Sequence, residues 1–172
     1  LDCVIASFTV TDERKKSWNF TQQYRLEPVT FMVSKDSGAK TLADMDGFVI
    51  GVGQGTTTAE LIEQYAKDKG IDVNYEVQDF QYISDGVAAL KTGQIDAYSV
   101  DRTGLIAYMD DSMMLTEDAF GVQDIGIALK LGNDELTKFM DDTLTELKES
   151  GRLDELKAKW GILTDEEVAA MQ

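Results

Sequence analysis

From Phe48 to Met109 the chain alternates short apolar runs with amphipathic stretches, and glycines close the amphipathic ones. Phe48–Val52 predicts a strand. Thr57–Lys69, with Leu61, Ile62, Tyr65 and Ala66 at helical spacing, predicts a helix that stops at Gly70. After a strand at Asp72–Val77, Gln81–Thr92 repeats the pattern with Ile83, Val87 and Leu90 and stops at Gly93; strand Ile95–Val100 then feeds helix Arg102–Met109. Helices commonly end on a left-handed residue, which favours glycine. Strand–helix alternation places successive strands parallel in one sheet covered by helices, so the expected fold class is α/β.

The flanks follow other rules. Leu1–Phe8 predicts a strand, Thr9–Lys16 a loop or short turn, and Trp18–Phe20 an extended piece. Pro28–Ser34 predicts a strand with its proline at the start, where a missing N–H is tolerated. Thr41–Gly47 predicts a turn and Ile125–Lys130 a further strand. A long helix opens at the Asn133/Asp134 cap, carries Leu136, Phe139, Met140, Leu144 and Leu147, breaks at Gly151, and resumes with Leu153, Leu156 and Trp160. Thr164–Gln172 is an acidic tail.

Composition excludes several function classes. A formal net charge of −16 argues against nucleic acid or an anionic membrane as partner, since both need basic patches. One cysteine, Cys3, and no histidine exclude an internal disulfide, Cys/His zinc and Ser-His or Cys-His catalysis. Cys3 near the first residue raises the alternative of a lipid anchor, but Asp2–Ala6 reads as a strand in which cysteine acts as a small hydrophobe. No run has the length of a membrane span and no signal segment opens the chain. The pairs Asp110-Asp111 and Asp141-Asp142 lack the alternating oxygens of a calcium loop and are read as solvated faces. No cofactor or metal is expected.

Three stretches carry chemistry. In Ala6–Arg14 a strand runs into hydroxyls and then an arginine; a guanidinium pairs bidentately with a carboxylate, and Ser7 and Thr9 would fill its remaining lone pairs. In Ile50–Glu60 an apolar run passes through glycines into threonines. Thr56 or Thr57 is the expected N-cap, the first helical N–H groups offer an anion site, and Gly53 leaves room for a ligand. Ile95–Arg102 ends a strand on Asp101, the acceptor a primary ammonium needs. Arginine, helix N-terminus and aspartate together suit an α-amino acid. Plainer readings stand beside these: Arg14 as a surface cation, Ser7 and Thr9 as turn caps, Thr57 as a structural cap, and Asp101 as the cap of the helix starting at Arg102. Arg25 and Arg102 are candidate partners for an acidic ligand side chain, with solvated surface the favoured reading of both. Met113-Met114, Phe80 and Tyr82 are read as core or loop packing.

Taken in order, these stretches resemble the extracytoplasmic solute-binding proteins of polar amino-acid ABC transporters. The likeness rests on hydroxyls followed by Thr11-x-x-Arg14, then Gly55-Thr56-Thr57, then Asp96-Ala97-x-x-x-Asp101, and covers Asp2 to about Gly161. Ala6–Thr11 and Ser99-Val100-Asp101-Arg102 look most like the aspartate/glutamate-binding subgroup. The resemblance implies a periplasmic-binding-protein-like fold of two lobes that close on the ligand. Lobe two would be complete, with a parallel-rich sheet flanked by helices. Residues 1–30 would be the remainder of lobe one, 31–123 lobe two, 124–163 the return to lobe one with C-terminal helices, and 164–172 an acidic tail. The crossings fall near Pro28–Ser34 and Gln123–Lys130. Members of that family begin with further strand–helix units, so lobe one is truncated here, which favours self-association through the incomplete lobe.

The resemblance further implies ligand contacts from Ser7, Thr9, Arg14, Thr56, Thr57, Asp101 and Arg102, a polar amino acid as ligand with aspartate or glutamate as first expectation, an ABC permease as partner, and a periplasmic or otherwise extracytoplasmic location with a membrane tether allowed in the full-length protein. Two other classes stay open. A cyclohexadienyl-dehydratase-like enzyme on the same scaffold would need a positioned general acid, for which only Asp101 is marked out. A sensory ligand-binding module would carry a transmembrane continuation.

Overall fold

The structure is a computed structural model that describes residues 1–171. It divides into two units. Unit one is Leu1–Glu27 together with the chain from Val122 onward, and unit two is Pro28–Gly121.

Unit two contains the alternating framework. Its strands are β3 (Arg25–Ser34, which starts in unit one), β4 (Phe48–Gly53), β5 (Tyr75–Phe80), β6 (Ala97–Asp101) and β7 (Met113–Leu115). Between them run α2 (Thr58–Lys69), α3 (Ile83–Lys91) and the short α4 (Arg102–Ile106). The βαβαβ run puts β5, β4 and β6 side by side and parallel, with Ile50 opposite Val77 and Gly51 opposite Tyr98. The sheet as a whole is mixed rather than parallel-rich, because β3 lies antiparallel to β6 and β7 antiparallel to β3. The order is β5-β4-β6-β3-β7.

Both faces of this sheet are covered, as alternation along a strand requires. Phe31 and Val33 of β3 join Ile50, Val52, Ile62 and Phe120 on the α2 face, while Met32 joins Val87, Leu90, Ile95 and Tyr98 on the α3 face. Gly70, at φ 65°, ends α2, as the glycine pattern predicts. Several bounds differ. β5 starts three residues later than expected, at Tyr75, and α3 and α4 are shorter than their amphipathic runs. Met113-Met114, read as core or loop packing, lies in a strand and packs in the core, with Met113 buried on the α3 face and Met114 against the α2-face cluster. Phe80 packs edge-on against Tyr98, but Tyr82 is 60% exposed.

Unit one holds β1 (Cys3–Val4), α1 (Asp12–Lys15), β2 (Trp18–Phe20), β9 (Ala128–Lys130), α5 (Asp134–Glu149), α6 (Arg152–Lys159) and α7 (Asp165–Ala169). The predicted single strand at Ile125–Lys130 is two. β8 (Phe120–Ile125) pairs with β3, whereas β9 is the centre of a small antiparallel sheet of order β1-β9-β2. Gly126 divides them: a Cβ there would fall 2.8 Å from Val10 Cγ2. Only Cys3–Val4 of the Leu1–Phe8 run is strand, and Cys3 is half-buried against the core of Ile127, Leu129 and Leu144. The apolar stripe of α5 is narrower than its sequence suggests, since Phe139 is 63% exposed, as is Trp160 at 69% beyond α6. Pro28 sits inside β3, not at its start. Among the described residues no helix is long and apolar enough to cross a membrane.

Candidate functional site

The seven candidate residues fall into two sets. Ser7, Thr9 and Arg14 belong to unit one, and Thr56, Thr57, Asp101 and Arg102 to unit two.

In unit one the chain between β1 and α1 is held in place residue by residue. Thr9 bridges Ile125 at the end of β8, and Val10 N–H donates to Asp124 O at 2.9 Å. Thr11 caps α1 by accepting from Arg14 N–H at 3.2 Å. That turn brings Arg14 back over the stretch it follows. Its guanidinium donates from Nη1 to Thr9 O at 2.9 Å and lies 4.5 Å from the centroid of the Phe8 ring. A fork anchored by one N–H and one aromatic face keeps its remaining N–H groups for a planar anion. The surface-cation reading fits Lys15 and Lys16, which are exposed and pair with Asp12 and Glu13 within the helix; Arg14 itself is half-buried.

The two hydroxyls already have partners. Ser7 Oγ accepts from Arg25 Nη2 at 2.6 Å, and Thr9 Oγ1 donates to Gln123 Oε1 at 2.7 Å. Arg25 also pairs with Glu27, and both side chains are buried, at 7% and 1% exposure. Arg25 is therefore buried and paired with Glu27 and Ser7, which corrects its reading as a solvated surface arginine. Phe8, Gln123 and the Arg25–Glu27 pair are the parts that sequence reasoning misses. Gln123 is 114 positions from Thr9, and only the return of β8 into unit one brings them together.

In unit two the candidates lie at the carboxyl ends of neighbouring parallel strands, where open α/β sheets place their ligands. Val52 of β4 is opposite Ser99 of β6, so Thr56 and Thr57, just past β4, and Asp101, ending β6, share one edge of the sheet. Thr56 uses its hydroxyl on the turn into the helix: it donates to Gly53 O at 2.8 Å and accepts from Thr58 N–H at 3.4 Å. Thr57 occupies the N-cap position with helical dihedrals and no side-chain cap bond. Gly53 lets Thr56 fold back closely, since a Cβ there would fall 2.8 Å from Thr56 Cγ2. Asp101 holds the N-cap position of α4 at φ −46° and ψ 130°, again without a side-chain cap bond, and Arg102 is the half-buried first residue of that helix.

The acidic pairs have structural work. Asp110 is paired with Lys91 at 2.6 Å and accepts from Ser112, first from Lys91 in strength, which holds its carboxyl well below the usual carboxylate range. Asp141 accepts from Gln22 N–H at 2.6 Å, so it is more than a solvated face. Among the described residues no group of three or more His, Cys, Asp and Glu side chains is arranged to hold a metal ion.

A family model, described as bacterial extracellular solute-binding proteins, family 3, matches residues 1–162. The chain is 34% identical over 165 residues to the L-cystine-binding protein TcyJ of Escherichia coli K12, covering 93% of this chain and 60% of that protein. It is 30% identical over 163 residues to the ABC transporter glutamine-binding protein GlnH of Bacillus subtilis 168, covering 93% of this chain and 58% of that protein. The chain thus spans about 60% of the length of the curated relatives it matches. Among solved structures, an ancestral arginine-binding protein bound to arginine is 32% identical, with a TM-score of 0.78 over 93% of this chain and 71% of that one.

Proposed function

Because the chain belongs to the family 3 bacterial extracellular solute-binding proteins, we propose that it binds a polar L-amino acid outside the cytoplasmic membrane for delivery to an ABC permease. The observation that carries this reading is the preset Arg14 fork, anchored on Thr9 O and the Phe8 ring with the Ser7 and Thr9 hydroxyls beside it. It is suited to the α-carboxylate. Within unit two, Thr56 and Thr57 where α2 opens, with Asp101 and Arg102 at the same sheet edge, are the proposed ligand residues, Asp101 as the acceptor for an α-ammonium. The relatives named above bind cystine, glutamine and arginine, so the family accommodates polar side chains of differing charge.

Aspartate or glutamate is the less favoured ligand within this reading. A second carboxylate approaching a chain of net charge −16 needs a cation beyond Arg14. Arg25 is committed to Glu27, which leaves Arg102. Binding without catalysis is the reading, since a transport binding protein needs only different affinities in its open and closed forms.

The test is thermal unfolding of the chain against single L-amino acids, with titration calorimetry on each one that shifts the midpoint. A ligand at about a thousand times its Kd stabilises by about 4 kcal/mol, a shift of several degrees for a chain of this length. A shift with cystine, glutamine or arginine supports the proposal; a shift with aspartate or glutamate alone restores the acidic subgroup; no shift with any amino acid overturns it. Unit one also exposes Leu1, Ile5, Trp18, Leu131, Phe139 and Trp160, and light scattering on the same sample tests self-association through that unit.

A further inference from the structure

The two hydroxyls beside Arg14 are wired with opposite polarity. A hydroxyl has one proton to donate and two lone pairs to accept with. Thr9 spends its proton on Gln123 Oε1 at 2.7 Å, so only lone pairs remain. Ser7 instead receives Arg25 Nη2 on a lone pair at 2.6 Å and keeps its proton. Gln123 is 6% exposed, its bond to half-buried Thr9 is partly shielded from solvent, and it lies on β8, whose backbone also bridges Thr9 through Ile125. The bond is thus held by the same strand that fixes the Thr9 backbone.

We propose that Gln123 is a positioning residue that makes Thr9 a hydrogen-bond acceptor, so that this part of the site selects ligands carrying an α-ammonium over carboxylic acids that lack it. The inference rests on the amino-acid-binding reading and deepens it. A Thr9 hydroxyl free to turn would serve a second carboxylate oxygen as readily as an ammonium. Gln123 removes that option, and Ser7 and Arg14 are left to the carboxylate.

The experiment compares two affinities of one protein: the tightest binder among L-cystine, L-glutamine, L-arginine, L-aspartate and L-glutamate, and the same molecule without its α-amino group. Their ratio is the readout, because a merely structural role would weaken both ligands alike. Loss of a hydrogen bond to a charged group corresponds to about tenfold in affinity. Gln123→Met is expected to lower the ratio about tenfold, whereas Gln123→Glu, which keeps an acceptor opposite Thr9, retains it. Ser7→Ala should weaken both ligands equally. An unchanged ratio in a folded Gln123→Met protein overturns the proposal. Should that variant fail to fold, Thr9→Val decides: a lowered ratio supports the proposal and an unchanged one overturns it. A wild-type chain that binds none of the five amino acids overturns the binding reading and this inference together, an outcome distinct from an unchanged ratio in a chain that binds.

Discussion

Arg14 stands over Phe8, its guanidinium carbon 4.5 Å from the ring centroid, while Nη1 donates to the carbonyl of Thr9 at 2.9 Å. Both contacts come from residues five and six positions earlier, so the turn through α1 is what makes the arginine face its own strand. Truncating one partner of a buried hydrogen-bonded charge pair costs about 2–5 kcal/mol, and a helix N-terminus holds an anion by about 0.3–1 kcal/mol. Arg14→Ala is therefore expected to weaken amino-acid binding at least tenfold more than Thr57→Ala. Calorimetric titration of both variants measures this, and comparable small losses would remove Arg14 from the carboxylate role.

Phe8 should act through Arg14. A cation–π contact is worth roughly 0.5–1 kcal/mol at exposed sites. Phe8→Leu keeps an apolar side chain but loses the quadrupole and the ring contacts to Trp18 and Phe20, so affinity should fall a few-fold and the melting point should drop by a few degrees. The same substitution made on an Arg14→Ala background should change affinity no further.

Tyr98 is fully buried, and its hydroxyl has no hydrogen-bond partner. Gly86 makes room for it: a Cβ at Gly86 would fall 2.2 Å from the Tyr98 ring. A buried polar group without a partner costs about 1–3 kcal/mol. Tyr98→Phe should thus stabilise unit two by about 1 kcal/mol, or a few degrees in Tm. Gly86→Ala should destabilise strongly, because the ring sits inside the β6–α3 packing with nowhere to retreat. Denaturant titration of the two variants gives opposite signs if this is correct.

Asp118 is nearly buried and accepts from Leu42 N–H at 2.5 Å and from Tyr65 O–H at 2.7 Å, tying α2 to the segment before β4. Burial first, and then the Asp118 carboxylate, push the Tyr65 phenol up to about 12. A pKa raised in the folded state gives stability that is complete below the unfolded value of 10.0 and lost as pH rises towards about 12. Tyr65→Phe should remove part of this alkaline sensitivity and cost about 1–3 kcal/mol at neutral pH, since it takes one donor from a buried carboxylate. Unfolding curves at pH 8 and pH 11 separate the two effects.

How much of this was legible follows from distance along the chain. The βαβαβ framework and its glycine stops depend on residues within a few positions of each other, and Gly70 and Gly151 both take the positive φ that ends a helix. The strand at Met113–Leu115 was not legible, because three residues carry no periodicity and this segment becomes strand only by pairing with β3. The division of Ile125–Lys130 was hidden for a related reason, the apolar run being continuous across Gly126. Candidate ligand residues were visible as types in sequence. Their hydrogen-bond state was not, since Thr9–Gln123 and Ser7–Arg25 join positions 114 and 18 apart. The return of Thr56 onto the Gly53 carbonyl was equally hidden, since nothing in the residue types marks it.

The last relationship concerns the C-terminal helix. α7 follows Ile162, where the family match ends, and is capped by Thr164 and Glu167 in a reciprocal pair. Its first residue, Asp165, accepts from the buried Lys157 at 2.9 Å and from Gln23 Nε2 at 3.3 Å, so it docks α7 on α6 and on the approach to β3. Burial alone would raise the Asp165 carboxyl, but Lys157 and Gln23, with the backbone of Leu26, outweigh it and hold the pKa below the model-compound value of 3.8. A depressed folded pKa contributes stability that is present above the unfolded value and lost as pH falls through the folded one. Protonation would leave Lys157 with Asp154, 3.8 Å away and mostly exposed, which is a weak substitute. Amide exchange in α7 should therefore accelerate, relative to α5, as pH drops below about 4, after correction for intrinsic rates. Asp165→Asn should show the faster exchange already at neutral pH and lose the acid step. If its exchange matches the wild type at both pH values, Val168 burial, not the Lys157–Asp165 pair, holds the helix in place.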